Sequence, residues 1–244
     1  LQHNNDNAGF IMSIIDKILS VIAPHDCINC GKEGLIICDK CLGKIPAIQP
    51  RCFKCLQPSA DWITCLNCRP FFPINRLIIA KEYTLKSKAI VWKLKNDGVQ
   101  EAARIMAREM AKILPKSPEF NKLLIVPSPT SHRRSRQRGY DQAKLIAKEL
   151  QKLTNLSYAN PLRRKDDIHQ VGANIKTRKE QLQDSFEVIR HIQVKNQHIL
   201  LVDDVVTTGS TLESAARTLI NAGASEVWAI CFAHPRLRKI QTEA

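Results

Sequence analysis

The chain has 244 residues, an apolar fraction of 44%, a charged fraction of 25% and a formal net charge of +14. That length suits one large domain or two smaller ones, the composition is that of an ordinary globular protein, and the charge points to a polyanionic partner such as nucleic acid, an anionic membrane or a phosphorylated ligand. The apolar stretch FIMSIIDKILSVIA (10–23) is too short for a bilayer span and carries Asp16 and Lys17, so stable membrane insertion is excluded there.

The opening residues, LQHNNDNAGF, lack the basic region that begins a secretory signal. Within 10–23 the positions Ile11, Ile14, Ile15, Ile18 and Ile22 fall at helical spacing, which predicts a short amphipathic helix packed on its own domain, with a membrane-surface or partner-binding helix as the alternative. We expect residues 1–24 to be this tail and helix, 25–70 a small metal-held domain and 71–244 the main domain. RLIIAKEY (76–83) reads as a strand. Two helices follow, TLKSKAIVWKLKN and VQEAARIMAREMAKIL, separated by Asp97-Gly98. NKLLIVPSP is a buried strand ended by prolines, and RGYDQAKLIAKELQKLTN a helix. The polar segment 161–188 reads as a long excursion ending in a short helix. HILLVDDVV is a central strand, STLESAARTLINAG a helix stopped at Gly223, and SEVWAICFAH a last strand. Strands alternating with helices predict a parallel α/β sheet flanked by helices.

Between 27 and 68 the cysteines come as four CxxC pairs: Cys27/Cys30, Cys38/Cys41, Cys52/Cys55 and Cys65/Cys68, with gaps of 7, 10 and 9 residues. A CxxC turn puts two sulfurs on one side of a tight loop, and two turns complete a tetrahedral S4 site, the usual coordination of structural zinc. Eight cysteines predict two structural Zn2+ sites forming a double zinc ribbon. Consecutive pairing is the simplest arrangement and a crossed one the alternative. Disulfides and iron–sulfur clusters fit this even repeat poorly, and reduced cysteines point to a cytoplasmic setting. With four ligands each, the sites leave no open position for catalysis. Few basic residues accompany the second ribbon, so an architectural or protein-contact role is expected. Cys231 stands alone in an apolar strand and reads as a buried thiol.

The stretch ILLVDDVVTTGSTL (199–212) drives a buried strand into two carboxylates and then into a small hydroxylated turn. The acids fall at the strand's carboxyl end, where open α/β sheets bind ligands. In a regular strand Asp203 and Asp204 face opposite sides. Gly209 lets the backbone curl so that the amides of Thr207, Thr208, Gly209, Ser210 and Thr211 converge at a helix N-terminus, which makes a phosphate cradle. Two carboxylates beside it suit the vicinal hydroxyls of a ribose. No lysine follows the glycine, so this is not a GxxxxGK[ST] loop.

LLVDDVVTTGST resembles the phosphoribosyl-pyrophosphate (PRPP) motif of type I phosphoribosyltransferases, and with the cysteine ladder ahead of it the chain from about 25 to 234 resembles the ComF family (ComFC or GntX-like proteins). VPSPTSHRRSRQRGYDQA (126–143) is similar to the family's VP…R…RGFNQ segment at Val126, Pro127, Arg138, Gly139 and Gln142, with Tyr140 and Asp141 where Phe and Asn are usual. The segment 162–186 matches at Arg163, Gln170, Arg178 and Phe186, with His169 and Gln181 replacing a common Thr and Asn. Tyr83 and Lys95 match a further stretch.

The resemblance implies a type I phosphoribosyltransferase-like sheet that binds PRPP with Mg2+, or a nucleotide monophosphate. Asp203 and Asp204 would hold the ribose, and Thr207 to Thr211 the 5′-phosphate. The loop from Ser128 to Gly139, with Arg134 and Arg138, would face the pyrophosphate. The excursion around 163–170 would close over the site, with Lys165 as leaving-group lysine and His169 as a weaker candidate base. Passage through an oxocarbenium-like ribose needs cations on the leaving group, anions near the sugar and a lid against water. The resemblance also implies a place in natural competence, handling single-stranded DNA beside a competence helicase. The basic runs HRRSRQR, LRRK and PRLRK could track a phosphate backbone, but aromatic residues are only 5% and Trp62, Trp92 and Trp228 are scattered. No base-binding segment is legible, which leaves two alternatives: a transferase of unknown acceptor, or a non-catalytic sensor or adaptor.

Overall fold

The structure, a computed structural model, describes residues 26–130, 137–165, 186–189 and 194–235. The helix expected at 10–23, Arg133, Arg134, Arg136, His169, Gln170, Arg178, the short helix closing the excursion and most of the last basic run lie outside the described residues.

Helix α1 (Asp39–Leu42) lies in the cysteine-rich segment. Strand β1 (Arg76–Glu82) then leads into α2 (Leu85–Asn96), which opens on a reciprocal cap between Thr84 and Ser87. After the break at Asp97-Gly98 comes α3 (Gln100–Lys112), and then β2 (Leu123–Pro127). Helix α4 (Gln142–Thr154) begins later than the sequence pattern suggests, because Gly139 takes a left-handed φ of +77° and Asp141 is the N-cap, accepting from the Lys144 N–H at 3.2 Å. The short β3 (Ser157–Tyr158), β4 (Leu162–Arg164) and β5 (Phe186–Val188) follow, then β6 (His198–Val205), α5 (Ser210–Asn221) and β7 (Glu226–His234).

All pairings in the main sheet are parallel, in the order β1-β7-β6-β2-β3. From β2 the chain passes through α4 outward to β3, whereas from β6 it passes through α5 to β7 on the other side. The loops after β2 and β6 therefore diverge, and the crevice between their carboxyl ends is the topological switch point where such sheets take ligands. Residues 199–202 of β6 and 227–234 of β7 are buried without alternation, as expected of parallel strands covered on both faces. The two ends of the excursion differ from the sequence reading: β4 and β5 pair antiparallel as a small second sheet.

The cysteine-rich segment is not held by sulfur alone. Ile36, Ile37, Leu42, Ile45, Trp62, Phe72 and Ile74 are buried and belong to the same apolar cluster as the sheet. At roughly 1.5–3 kcal/mol for each fully buried large side chain, this apolar contact is a major part of what fixes the segment on the main domain.

Candidate functional site

Cys27, Cys30, Cys38 and Cys41 form one sulfur cluster and Cys52, Cys55, Cys65 and Cys68 the other, with the ligand atoms of each set within 4.8 Å of one another. Consecutive pairing is thus the arrangement adopted. Cys30 and Cys38 sulfurs lie 3.7 Å apart and Cys55 and Cys65 sulfurs 3.6 Å apart. Zinc bound by sulfur at about 2.3 Å implies tetrahedral edges of about 3.8 Å, so both cages have the dimensions of zinc sites. At Cys27 burial opposes charge, but the N–H groups of Cys38, Asn29 and Cys30 outweigh it and bring the thiol down to about 6. Cys52 follows the same pattern, also to about 6, through the N–H groups of Cys55, Cys65 and Lys54. These donors favour the thiolate, the form that ligates metal.

The carboxyl ends of β2 and β6 border a polar cleft of about 210 Å³ lined by Lys95, Ser128, Pro129, Thr130, Arg138, Gln142, Ala143, Arg164, Asp203, Asp204, Val205 and Thr211. Strand alternation sends the two acids to opposite faces, yet both line this cleft. Each carboxylate turns back on its own backbone: Asp203 Oδ1 accepts from the Asp204 N–H at 2.9 Å, and Asp204 Oδ1 from the Val205 N–H at 2.7 Å. Lys95 Nζ, from the end of α2, stands 2.6 Å from the buried Asp204 Oδ2. Burial, followed by the neighbouring Asp204 carboxylate, pushes Asp203 up to about 7 against the opposing pull of the Asp204 N–H, Lys95 and Ser128. Its proton is therefore exchangeable near neutrality.

On the β2 side, the buried Ser128 donates its N–H to the Val202 carbonyl at 2.9 Å, and Thr130 Oγ1 donates to Asp141 Oδ1 at 3.1 Å. Asp141 therefore ties the loop after β2 to the start of α4. Tyr140 donates its hydroxyl to the Leu94 carbonyl, joining α4 to the helix that carries Lys95. Gln142 is 4% exposed, and its Nε2 has no partner among the described residues although the side chain lines the cleft. A buried amide donor without an acceptor costs about 1–3 kcal/mol, and a ligand oxygen in the cleft would relieve it.

The turn after β6 makes the left-handed bend its sequence requires. Gly209 has φ +79° and is the N-cap of α5, with no side-chain cap of its own. Thr207 and Thr208 are exposed, Ser210 Oγ lies against Thr208 Oγ1, and Thr211 borders the cleft. His234 Nε2 donates to the Thr207 carbonyl at 3.0 Å, and burial lowers the pKa of the ring against the opposing pull of the Pro235 and Thr207 carbonyls.

Of the residues singled out in the sequence, Ser128, Arg138, Asp203, Asp204 and Thr211 all line this one cleft. Gly139 sits in the bend before α4 and Arg134 is outside the described residues. Lys165 is exposed, and it is Arg164, whose guanidinium lies over Phe186 at 5.7 Å, that lines the cleft. Lys95 and Gln142 carry no local signal for a role here; only their matches to a family segment singled them out. Thr130 and Phe53 were not singled out at all.

The family model described as phosphoribosyl transferase domain matches residues 137–243. The DNA utilization protein YhgH of Salmonella typhimurium is 27% identical over 84% of this chain and 88% of its own length. Competence protein F of Haemophilus influenzae is 25% identical over 82% of this chain and 86% of its own. Among solved structures, a purine phosphoribosyltransferase from Pyrococcus horikoshii aligns with a TM-score of 0.36 at 16% identity, covering 56% of this chain and 76% of that one. Parallel sheet, acidic strand end and matched domain together show a phosphoribosyltransferase-type fold preceded by two tetracysteine clusters. A further relative of the chain bears the name competence protein ComFC, so its sequence is similar to competence protein F, ComFC and YhgH proteins over most of its length. Among the described residues, no helix is long and apolar enough to cross a membrane.

Proposed function

We propose that the protein binds PRPP together with Mg2+ in the cleft between β2 and β6 and serves the uptake or use of DNA. The observation that carries this reading is the run from Asp203 to Thr211: two carboxylates at the end of β6 pass directly into a left-handed glycine turn at the N-terminus of α5. Asp203 and Asp204 accept hydrogen bonds from the ribose hydroxyls. The backbone N–H groups and hydroxyls of Thr207, Thr208, Gly209, Ser210 and Thr211 hold the 5′-phosphate, helped by the helix dipole. Ser128, Arg138 and Gly139 face the pyrophosphate, and Lys95, Arg164 and the Gln142 amide add donors on the same side. Bound Mg2+ neutralises charge on the pyrophosphate and makes it a better leaving group. Ligand entry exchanges the Lys95–Asp204 pair for two contacts: the carboxylate takes a sugar hydroxyl while the ammonium turns to the pyrophosphate.

The two tetracysteine cages hold zinc, and their geometry and thiolate-favouring N–H donors support that assignment. A role in DNA handling is supported by the names of the relatives, competence protein F and DNA utilization protein, and by the net charge of +14. Single-stranded DNA would pass Arg138 and Arg164, which line the cleft, and so compete with the sugar pyrophosphate. The experiment is calorimetric titration of the full chain with PRPP and Mg2+, with and without a short single strand. Binding that is lost in Asp204→Ala supports the reading, and loss on adding DNA supports a shared surface. Absence of binding to the wild type rejects the ligand.

A further inference from the structure

The second tetracysteine cluster touches the turn after β6 directly. Phe53 lies within the Cys52–Cys55 knuckle, and its ring lies against Gly209. A β-carbon at Gly209 would come within 2.8 Å of Phe53 Cε1 and 3.2 Å of Cζ. The ring stacks on Phe72 with centroids 5.9 Å apart and meets His234 edge-on at 5.6 Å. His234 in turn donates to the Thr207 carbonyl. The next knuckle residue, Lys54, reaches Glu213 Oε2 at 3.1 Å, and the Glu213 N–H donates to the Gly209 carbonyl at 2.8 Å. Arg217 joins Glu213 Oε1 at 2.9 Å to the Phe71 carbonyl at 3.2 Å.

Within the turn, the Ser210 N–H reaches Thr208 Oγ1 at a long 3.4 Å and the two hydroxyls of Thr208 and Ser210 meet at 2.5 Å. The N-cap of α5 is a glycine with φ +79° and no capping side chain, and glycine is the residue with the most conformational freedom to lose. A cradle of N–H groups binds an anion well only if it exists before the anion arrives, since ordering a loop costs roughly 1–2 kcal/mol per residue. The ring of Phe53, 9% exposed and fixed next to the buried Cys52, supplies a further constraint from outside. We propose that Phe53 is a positioning residue for the phosphate loop, and that ligation of metal by Cys52, Cys55, Cys65 and Cys68 sets the affinity for a phosphorylated ligand by holding this ring in place. The inference rests on reading Thr207 to Thr211 as a phosphate loop, and it makes the second cluster part of the binding site.

The test uses the zinc-loaded full chain and its Phe53→Ala variant, in which all four ligands remain. The variant is expected to keep its metal content, to bind PRPP with Mg2+ about tenfold more weakly, a difference of about 1.4 kcal/mol, and to exchange amide hydrogens faster at 206–213 but not in β2. Chelation of zinc should weaken wild-type binding and add little to Phe53→Ala. Gly209→Ala should bind poorly, and combining it with Phe53→Ala should recover part of the loss, because the clash with the ring is gone. Wild-type affinity and unchanged exchange in Phe53→Ala would overturn the proposal. If the wild type binds no PRPP, the ligand assignment fails by itself, and loop exchange still decides: faster exchange in the variant supports positioning by Phe53, unchanged exchange rejects it. Should Phe53→Ala not fold, Phe53→Leu keeps the apolar volume without the flat ring and is read the same way.

Discussion

Between Asp26 and Phe72 the chain has short helices, isolated bridges and two sulfur cages, whereas between Arg76 and His234 it builds a five-stranded parallel sheet with β6 and β7 buried on both faces. The sheet is ordered by area removed from water and would need no ion. The cysteine-rich region has little regular structure, and metal held in its two sulfur cages would supply what backbone ladders cannot. The two are nevertheless not independent. Apolar side chains of the first region enter the core of the second, and its Phe53 ends against Gly209 in the turn after β6. A region built around two sulfur cages thus packs directly on the turn that ends β6.

The sharpest break of this comparison is to remove one cage. Cys52→Ser or Cys65→Ser is expected to release one of two zinc ions and to unfold the amino-terminal region; structural zinc is worth on the order of 10 kcal/mol in small domains. Metal analysis with thermal unfolding checks this, and full metal content would reject the pairing. Leu200→Ala, in the fully buried centre of β6, should instead cost about 2–5 kcal/mol in denaturant unfolding while both zinc ions stay bound. Asp204→Asn leaves the Lys95 ammonium without its carboxylate. It should weaken PRPP binding tenfold to a hundredfold, since hydrogen bonds to charged groups are worth roughly 1.5–3 kcal/mol, with little change in metal content.

A pH series sharpens the contrast further. Asp203 is raised from 3.8 to about 7 in the folded chain. The unfolded state therefore gives up this proton first as pH rises. The resulting destabilisation is absent below about pH 4, grows between 4 and 7 and is complete above 7. Asp203→Asn should flatten that part of the stability profile, and an unchanged profile would reject the raised value. PRPP affinity should rise through pH 7 in the wild type as the carboxylate becomes an acceptor. The smallest effect belongs to Lys54→Ala: its partly exposed pair with Glu213 should contribute less than about 1 kcal/mol to stability.

Much of this was legible because it is local. Cysteine spacing predicts the cages, since a CxxC turn and its neighbour are close in sequence. The fourteen residues 199–212 suffice to read strand, acids, glycine turn and helix around Asp203 to Thr211. Helix starts were legible only in part. The start of α4 slipped to Gln142 because Gly139 and Asp141 use the intervening residues for a bend and a cap. The two-strand sheet at the ends of the excursion was missed because β4 and β5 pair across a long separation.

By itself, then, the sequence determined the main strands and helices, the two cages and the acidic end of β6 with its glycine turn, because each rests on periodicity or on spacing within a few turns. Only the tertiary structure decided what faces that acidic end. Placing β7 between β1 and β6 orders the sheet, and with it α2 carries Lys95 to Asp204 and Gln142 is buried beside the cleft. The same packing seats Phe53 against Gly209. Those contacts join residues far apart along the chain, and they form because strand order and shared apolar burial bring the segments together, which no local pattern encodes.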